Sequence, residues 1–331
     1  MGEFDLIERY FKAPARAMAQ HSSGVTLGIG DDCALLQPAA GMQLAISSDM
    51  LVEGRHFFAN VDPFTLGHKA LAVNLSDLAA CGAKPLAFTL ALSLPEADEA
   101  WLASFSRGLL ALATEHHCAL IGGDTTQGPL NICITVFGEV PGNAALLRSG
   151  AQTGDDIYVS GTLGDARLAL EVLRGDLELP AAAFALARTR LETPTPRVTL
   201  GIALRGIASA AIDVSDGLLG DLGHILKQSK VGAVIDTSIA INLIAVKAID
   251  TLADRQITRQ KQLEYVLAGG DDYELAFTAP VSQRSAVQAA AAASGTKVTR
   301  IGRIETELGL RLVDANGQSL VNDFGSFDHF K

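Results

Sequence analysis

Short apolar runs rich in β-branched residues alternate along the chain with longer segments in which apolar residues recur at helical spacing. In the first half, the short runs predict strands at residues 25–29, 43–47, 86–92, 119–121 and 131–140. Two segments between them have a helical period: residues 63–80, which begin at a proline, and residues 98–116. This alternation predicts a mixed α/β (α+β) protein.

The second half of the chain repeats the alternation after a break at Pro141-Gly142-Asn143. Strands are predicted at residues 156–160, 208–212, 233–235, 274–278 and 297–304. Helices are predicted at residues 164–173, 217–229 and 281–293. A chain of 331 residues also suits two domains of about 150 residues each. We therefore expect an N-terminal domain over residues 1–149 and a C-terminal domain over residues 150–331.

Composition narrows the classes of protein that the chain can belong to. Hydrophobic residues make up 48% and charged residues 19%, which is typical of a globular protein. The longest uncharged stretch, residues 33–48, is too short and too polar to span a bilayer. The first residues lack a secretory signal, so a cytoplasmic location is expected. A net charge of −11 provides no basic surface for nucleic acid.

Candidate chemistry lies where predicted strands end in glycine or serine followed at once by aspartate. These segments are Gly28-Ile29-Gly30-Asp31-Asp32, Ser47-Ser48-Asp49, Gly122-Gly123-Asp124-Thr125 and Asp213-Val214-Ser215-Asp216-Gly217. Because loops that leave strand ends of an α/β sheet share one rim, we expect these carboxylates to converge. Asn74 and Asp77 should face the same way from a helix. Clustered carboxylates with oxygen ligands favour Mg²⁺ or Ca²⁺.

A structural interpretation of each aspartate stays open beside the functional one. An aspartate next to glycine usually caps a helix or makes a turn, as Asp31 and Asp216 would, and Asn74 could be a buried amide bonded to backbone. Metal ions bridge acidic protein to acidic substrate, so the set as a whole predicts a ligand that carries phosphate. The P-loop, dinucleotide-binding and protein-kinase motifs are absent from the sequence.

Several longer motifs extend this pattern along nearly the whole chain. They are Gly28-Ile29-Gly30-Asp31-Asp32-Cys33-Ala34, Ser48-Asp49-Met50-Leu51-Val52-Glu53-Gly54-Arg55-His56-Phe57, Ala72-Val73-Asn74-Leu75-Ser76-Asp77-Leu78-Ala79-Ala80, Gly122-Gly123-Asp124-Thr125-Thr126, Arg148-Ser149-Gly150-Ala151, Ile212-Asp213-Val214-Ser215-Asp216-Gly217-Leu218 and Gly269-Gly270-Asp271-Asp272-Tyr273-Glu274-Leu275. Together they closely resemble the bacterial thiamine-monophosphate kinase family, in the superfamily of aminoimidazole ribonucleotide synthetase and selenophosphate synthetase.

The resemblance implies a fold and an activity. The N-terminal domain would be a mixed-sheet domain that binds ATP and magnesium and dimerises through its sheet, and the C-terminal α+β domain would close the substrate cleft. The activity implied is transfer of the ATP γ-phosphate to thiamine monophosphate, giving thiamine diphosphate, in a homodimer that uses several Mg²⁺ ions. A requirement for a monovalent cation is left open.

The resemblance also implies roles for individual residues. Magnesium ligands would be Asp32, Ser47, Ser48, Asp49, Asp77, Asp124, Asp213 and Asp216. ATP contacts would be Gly123, Asp124, Arg148 and Ser215. Thiamine-site residues would be His56, Asp271 and Phe327. The acceptor oxygen belongs to an already ionised phosphate, so no general base is assigned and transfer is direct and in line.

Two positions depart from the family pattern. Asp271 stands where the family usually has glutamate, and Ser48 where it more often has threonine. Two alternative functions remain: another ATP-dependent enzyme of the same superfamily, which would activate an amide or selenide, and a non-catalytic protein that binds thiamine phosphates.

Overall fold

The computed structural model describes residues 3–15, 24–245 and 257–325. The chain divides into two compact units. The first consists of Met1–Leu78 with Ala83–Ala145, and the second of Ala79–Gly82 with Leu146–Lys331. The mixture of sheets and helices in both units confirms the α/β class predicted from the sequence.

A four-stranded mixed sheet forms the centre of the first unit, in the order β3-β6-β4-β5. Its outer strand β3 pairs antiparallel with β6, β6 pairs antiparallel with β4, and β4 pairs parallel with β5. A separate two-stranded sheet is formed by β1 and β2. The strands are β1 (Val25–Leu27), β2 (Leu35–Leu36), β3 (Met42–Val52), β4 (Lys84–Leu94), β5 (Ala119–Gln127) and β6 (Asn131–Pro141).

Two long helices accompany this sheet: α2 (Pro63–Ala80) and α3 (Glu99–Glu115), preceded in the chain by the short α1 (Glu3–Ile7) and a π-helical turn, Glu8–Lys12. They approach closely because each has a glycine at the contact. A Cβ atom at Gly67 would lie 2.1 Å from the carbonyl oxygen of Phe105, and one at Gly108 would lie 1.9 Å from that of Phe64. Any larger residue would force the helices apart.

The second unit contains a seven-stranded mixed sheet in the order β13-β12-β9-β11-β7-β10-β8. Only the pair of β12 with β9 is parallel among the pairings in the described part of this unit. The strands are β7 (Asp156–Ser160), β8 (Ala210–Val214), β9 (Gly232–Asp236), β10 (Glu274–Ala279), β11 (Val298–Glu305), β12 (Gly309–Val313) and β13 (Ser319–Leu320). Strand β8, which carries Asp213, is at one edge of this sheet.

Helices of the second unit pack around an apolar core that includes Leu222 and Ile225 of α7 and Val266 and Leu267 of α9. The helices are α4 (Asp165–Arg174), α5 (Ala181–Glu192), α6 (Val198–Ala203), α7 (Leu218–Ser229), α8 (Thr237–Ala240), α9 (Arg259–Ala268) and α10 (Arg284–Ser294), with 3-10 turns at Ile241–Leu243 and Val281–Gln283. In the described residues, each helix is too short or too polar to traverse a lipid bilayer.

Candidate active site

A serine and an aspartate of the first unit, each expected to be a magnesium ligand, lie in contact. Ser47 is on β3 and Asp77 is on the last turns of α2, and the Ser47 hydroxyl donates a hydrogen bond of 2.5 Å to Asp77 Oδ2. The two residues are 30 positions apart in the chain. The helix therefore brings a carboxylate to the middle of an outer strand of the sheet.

Asn74 joins the same helix to Asp49, two residues further along β3. Its side-chain amide is 1% exposed, donates to the carbonyl of Ala70 at 3.0 Å and accepts from the backbone N–H of Asp49 at 3.1 Å. The interpretation of Asn74 as a buried amide bonded to backbone is confirmed. Because the bond fixes the Asp49 main chain against α2, Asn74 also positions a candidate ligand.

Two of the aspartates do not lie at strand ends, so that part of the sequence prediction is wrong. Asp49 is inside β3, paired opposite Ile134, and Asp124 is inside β5, paired opposite Ala91. β3 and β5 are the two outer strands of the sheet. With about 4.8 Å between neighbouring strands, their backbones are separated by roughly 14 Å. Antiparallel pairing with β6 continues to Val52, so β3 runs past the motif and Asp49 lies within a strand.

Asp32 and Ser48 have local partners. Asp32 is exposed, and its backbone N–H donates to Asp31 Oδ1 at 2.9 Å. The next element is strand β2, so of the two structural interpretations Asp31 makes a turn and does not cap a helix. The hydroxyl of Ser48 contacts Thr135 Oγ1 at 3.0 Å and donates to the carbonyl of Ile134 at 3.2 Å. A threonine would keep this hydroxyl, so the departure at Ser48 preserves the chemistry of the position.

His56 folds back onto the end of β3. The backbone N–H of Val52 donates to His56 Nδ1 at 3.0 Å, and the His56 N–H donates to the Val52 carbonyl at 2.9 Å. Because Nδ1 accepts a hydrogen bond, the neutral ring carries its proton on Nε2. The loop thus holds the ring in one tautomer and one orientation.

Gly123 has a packing reason to be glycine. Its φ is +149°, and a Cβ atom there would lie 1.8 Å from the carbonyl oxygen of Leu90 on β4. No larger residue fits at this position of the sheet. The need for glycine here comes from the packing of β5 on β4. It is independent of the ATP contact expected for Gly123, which stays a prediction.

In the second unit, two loops that are distant in sequence are bonded through their main chains. The N–H of Asp271 donates to the carbonyl of Ser215 at 2.8 Å, and that of Tyr273 donates to the carbonyl of Val214 at 2.8 Å. Asp213 lies one residue earlier, in β8, opposite Leu275 of β10. The structure therefore brings Asp213, Ser215 and Asp271 together, with Asp216 next in the chain.

The turn that carries Asp271 has an uncommon backbone. Asp271 has a φ of +67° and Tyr273 a φ of +50°, both in the left-handed region. Aspartate and asparagine enter this region more readily than glutamate, because their short polar side chains bond locally. The conformation gives a physical reason for aspartate at the position where the family usually has glutamate.

Two buried carboxyl groups hold the residues that follow Asp271 in this turn. Asp272 is 0% exposed and accepts from the N–H of Gly164 at 2.9 Å, and burial raises its pKa well above the ordinary value. Glu274, also 0% exposed, accepts from Arg190 at 2.6 Å and from Arg197 Nε at 2.6 Å. These contacts fix the start of β10 and hence the turn that precedes it.

Sequence reasoning missed Asp221, which holds the loop of Ser215 and Asp216. Its Oδ2 accepts from the backbone N–H groups of Ser215, Asp216 and Gly217 at 3.0, 3.1 and 3.1 Å. Burial, with the nearby charge of Asp216 as a second cause, raises the pKa of Asp221 to about 7. An acidic residue in the first turn of a helix is common, so the sequence carried no distinctive signal.

Arg148 is exposed and lies beside the edge strand β8. The carbonyl of Leu147 accepts from the N–H of Ala211, and the carbonyl of Arg148 accepts from Ser229 Oγ at 3.3 Å. The Arg148 backbone is therefore anchored near Asp213 while its side chain is exposed. Phe327 lies outside the described residues.

The oxygen-rich donor set fits Mg²⁺ better than a soft metal. Among residues 3–15, 24–245 and 257–325, no group of three or more His, Cys, Asp or Glu side chains is arranged to hold a metal ion by itself. Magnesium in phosphate-transferring sites is commonly bound by one or two carboxylates together with substrate phosphates and water. Pairs such as Ser47 with Asp77 meet that smaller requirement.

Comparisons with known proteins show which family the chain is similar to. Residues 30–140 match the family model of the AIR synthase related protein N-terminal domain, and residues 152–315 match that of the C-terminal domain. A thiamine-monophosphate kinase of Escherichia coli (strain K12) is 45% identical over 331 residues, covering 99% of this chain and 98% of that protein. One of Salmonella typhimurium is 46% identical over 332 residues, with the same coverage.

Solved structures of similar proteins match this chain over nearly its full length. The crystal structure of thiamine-monophosphate kinase from Stenotrophomonas maltophilia K279a has a TM-score of 0.85 and 47% sequence identity, covering 97% of this chain and 98% of that chain. A structure described as AaThiL complexed with AMPPCP and TMP has a TM-score of 0.77 and 29% identity, covering 99% of this chain and 97% of that one. The chain is thus similar over almost its full length to kinases.

Proposed function

The chain belongs to the thiamine-monophosphate kinase family, and we propose that it transfers the γ-phosphate of ATP to thiamine monophosphate, yielding thiamine diphosphate and ADP. The observation that carries the proposal is the pair of bonded loops in the second unit, which holds Asp213, Ser215 and Asp271 together. Support comes from a full-length relative at 45% identity and from a related structure described as a complex with AMPPCP and TMP.

The physical task is to bring two negatively charged phosphate groups into line. Each carries a charge of about −2 near neutral pH, so their repulsion opposes contact. Magnesium ions supply the neutralising charge when bound. In the first unit the proposed ligands are Asp32, Ser47, Ser48, Asp49, Asp77 and Asp124. In the second unit they are Asp213 and Asp216.

The remaining groups orient the substrates. Arg148 and Ser215, with Gly123 and Asp124 in the first unit, are proposed to contact ATP. Arginine suits this role because its fork of N–H donors matches phosphate oxygens. His56, Asp271 and Phe327 are proposed to line the thiamine site, where a carboxylate and an aromatic face favour the permanent positive charge of the thiazolium ring.

No general base is required in this mechanism. The attacking oxygen belongs to a phosphate that is already ionised near neutral pH, so proton removal is not part of the barrier. Transfer is then direct and in line, without a phosphoenzyme, and catalysis consists of positioning and charge stabilisation. The titratable groups of the site serve as ligands and orienting contacts.

We further propose a homodimer in which the N-terminal domain, residues 1–149, binds ATP and magnesium and associates through its sheet. The C-terminal domain, residues 150–331, would close the substrate cleft. The outer strand β3 supports this proposal, because it exposes large apolar side chains. Leu44, Ile46 and Met50 are 42%, 60% and 52% exposed, and exposed apolar surface of this kind is typical of contact surfaces.

The experiment that tests the proposed function compares acceptors under one condition. ADP release is measured with ATP and Mg²⁺ in the presence of thiamine monophosphate, an amide acceptor or selenide. Release that depends on thiamine monophosphate supports the proposal. Release with another acceptor alone would identify a different enzyme of the superfamily, and binding of thiamine monophosphate without turnover would identify a binding protein.

A further inference from the structure

The loop of Ser215, Asp216 and Gly217 has its amides turned inward. In this loop, three consecutive backbone N–H groups converge on one oxygen of Asp221, which is 4% exposed. Consecutive amides that converge in this way form an anion-binding concavity, and the following helix, α7, adds the positive end of its dipole. Here the anion is a side chain of the protein itself.

The outer side of the same loop is bonded to the turn of Asp271. The Ser215 carbonyl accepts the Asp271 N–H, while the Ser215 N–H donates to Asp221. Ser215 is therefore held through its main chain on both sides. A Cβ atom at Gly270 would lie 2.4 Å from the Ser215 carbonyl oxygen, so the two loops also pack without space between them.

We propose that Asp221 is a positioning residue that fills the amide concavity of this loop and thereby makes the loop a cation-binding element in place of a phosphate-binding one. Amides at a glycine-containing turn before a helix ordinarily attract phosphate. Because Asp221 occupies them, the loop has only its side chains and carbonyl oxygens to offer a ligand.

The proposal rests on the proposed function in one respect, namely that Ser215 and Asp216 contact ATP and a metal ion. What the proposal adds is that the preformed hydrogen bonds from the loop amides to Asp221 set the affinity of the loop for a metal ion. Outer contacts that orient a metal ligand typically change metal affinity or activity by about 10- to 100-fold when they are removed.

The test compares Asp221→Asn with Asp236→Asn as a matched control. Asp236 is in the same unit, four strands away in the sheet from β8, and caps α8 by accepting from the Ser238 N–H at 2.9 Å. Both substitutions remove one carboxylate charge that accepts backbone N–H bonds, so both are expected to lower the thermal midpoint. Only Asp221→Asn changes the loop of Ser215 and Asp216.

The first readout is binding of Mn²⁺ in the presence of a non-hydrolysable ATP analogue, followed by electron paramagnetic resonance. We expect Asp221→Asn to weaken Mn²⁺ binding by about tenfold or more and Asp236→Asn to leave it within about twofold. In turnover assays the Mg²⁺ concentration for half-maximal rate should rise in parallel, with a smaller change in the KM for thiamine monophosphate. Equal Mn²⁺ affinity in the two variants would overturn the proposal.

The second readout uses the unaltered protein and stays decisive if Asp221→Asn does not fold. Hydrogen exchange of the Ser215, Asp216 and Gly217 amides is measured without ligand and again with Mg²⁺ and the ATP analogue. Slow exchange in both states supports loop amides that are already bonded to Asp221. Protection that arises only after the ligand is added would overturn the proposal. Because these readouts need no phosphate transfer, failure of the proposed function would appear separately, as absent turnover in the unaltered protein.

Discussion

The left-handed conformation of Asp271 allows its charge and its backbone to be tested separately. Asp271→Asn removes the carboxylate charge but keeps the size of the side chain and its tolerance of a φ of +67°. Asp271→Glu keeps the charge and restores the residue that the family usually has, but places a longer side chain on the same backbone. Asp271→Asn therefore tests the attraction of the substrate, and Asp271→Glu tests the stability of the fold.

Each effect has its own expected size. Loss of attraction between the carboxylate and the thiazolium charge in a partly exposed site should cost about 1–2 kcal/mol, which is roughly 5- to 30-fold in the KM for thiamine monophosphate. A glutamate held in the left-handed region should lower the free energy of unfolding by about 1 kcal/mol. For a unit of this size, that is a drop of roughly 2–4 °C in the thermal midpoint.

The assay measures KM for both substrates and the thermal midpoint in each variant. We expect Asp271→Asn to raise the KM for thiamine monophosphate while the KM for ATP and the thermal midpoint change little. Asp271→Glu should lower the thermal midpoint and change the KM for thiamine monophosphate less. An unchanged KM for thiamine monophosphate in Asp271→Asn would show that the residue is outside the substrate site and that the turn is purely structural.

Three further outcomes are expected. Asp49→Asn and Asp124→Asn should each reduce kcat by at least about 10²-fold without unfolding the protein, since each removes a charge-neutralising group, and near-normal turnover in either would refute its role. Light scattering at micromolar concentration should give about twice the 34.6 kDa of one chain, and a value near one chain would contradict the dimer. The pKa of Asp156 is lowered, chiefly by the hydrogen bond from Arg284. The ionised Asp156 carboxylate therefore stabilises the folded state at pH values above its ordinary pKa of about 4. This contribution is lost as the pH falls through the lowered pKa. Urea unfolding of Arg284→Gln should therefore show a stability deficit at pH 7 that narrows below about pH 4, and a deficit independent of pH would exclude this linkage.

Elements with strong local signals could be predicted from the sequence. The helix predicted at residues 63–80 is α2 with the same bounds, because a proline begins it and Cys81-Gly82 ends it. The strand predicted at residues 43–47 is too short. Strand β3 continues to Val52 because each residue up to that point pairs with β6, a long-range contact that the polar sequence Ser47-Ser48-Asp49 does not reveal.

The same distinction applies to the site. Its residue types followed from short motifs, and the contact of Ser47 with Asp77 joins two of them. The separation of Asp49 from Asp124 depends on the strand order β3-β6-β4-β5, which periodicity does not determine. The role of Asp221 depends on three backbone N–H groups meeting one oxygen, and a pattern of residue types contains no such information.

The proposed reaction is direct transfer of one phosphate from ATP to thiamine monophosphate. Its most direct test follows ³²P from γ-labelled ATP through a single turnover with Mg²⁺ and thiamine monophosphate. We predict that the label appears in the terminal phosphate of thiamine diphosphate, in equal amount to the ADP formed, and that none is recovered on the protein. Label found in inorganic phosphate or on the protein, without labelled thiamine diphosphate, would contradict direct transfer to thiamine monophosphate.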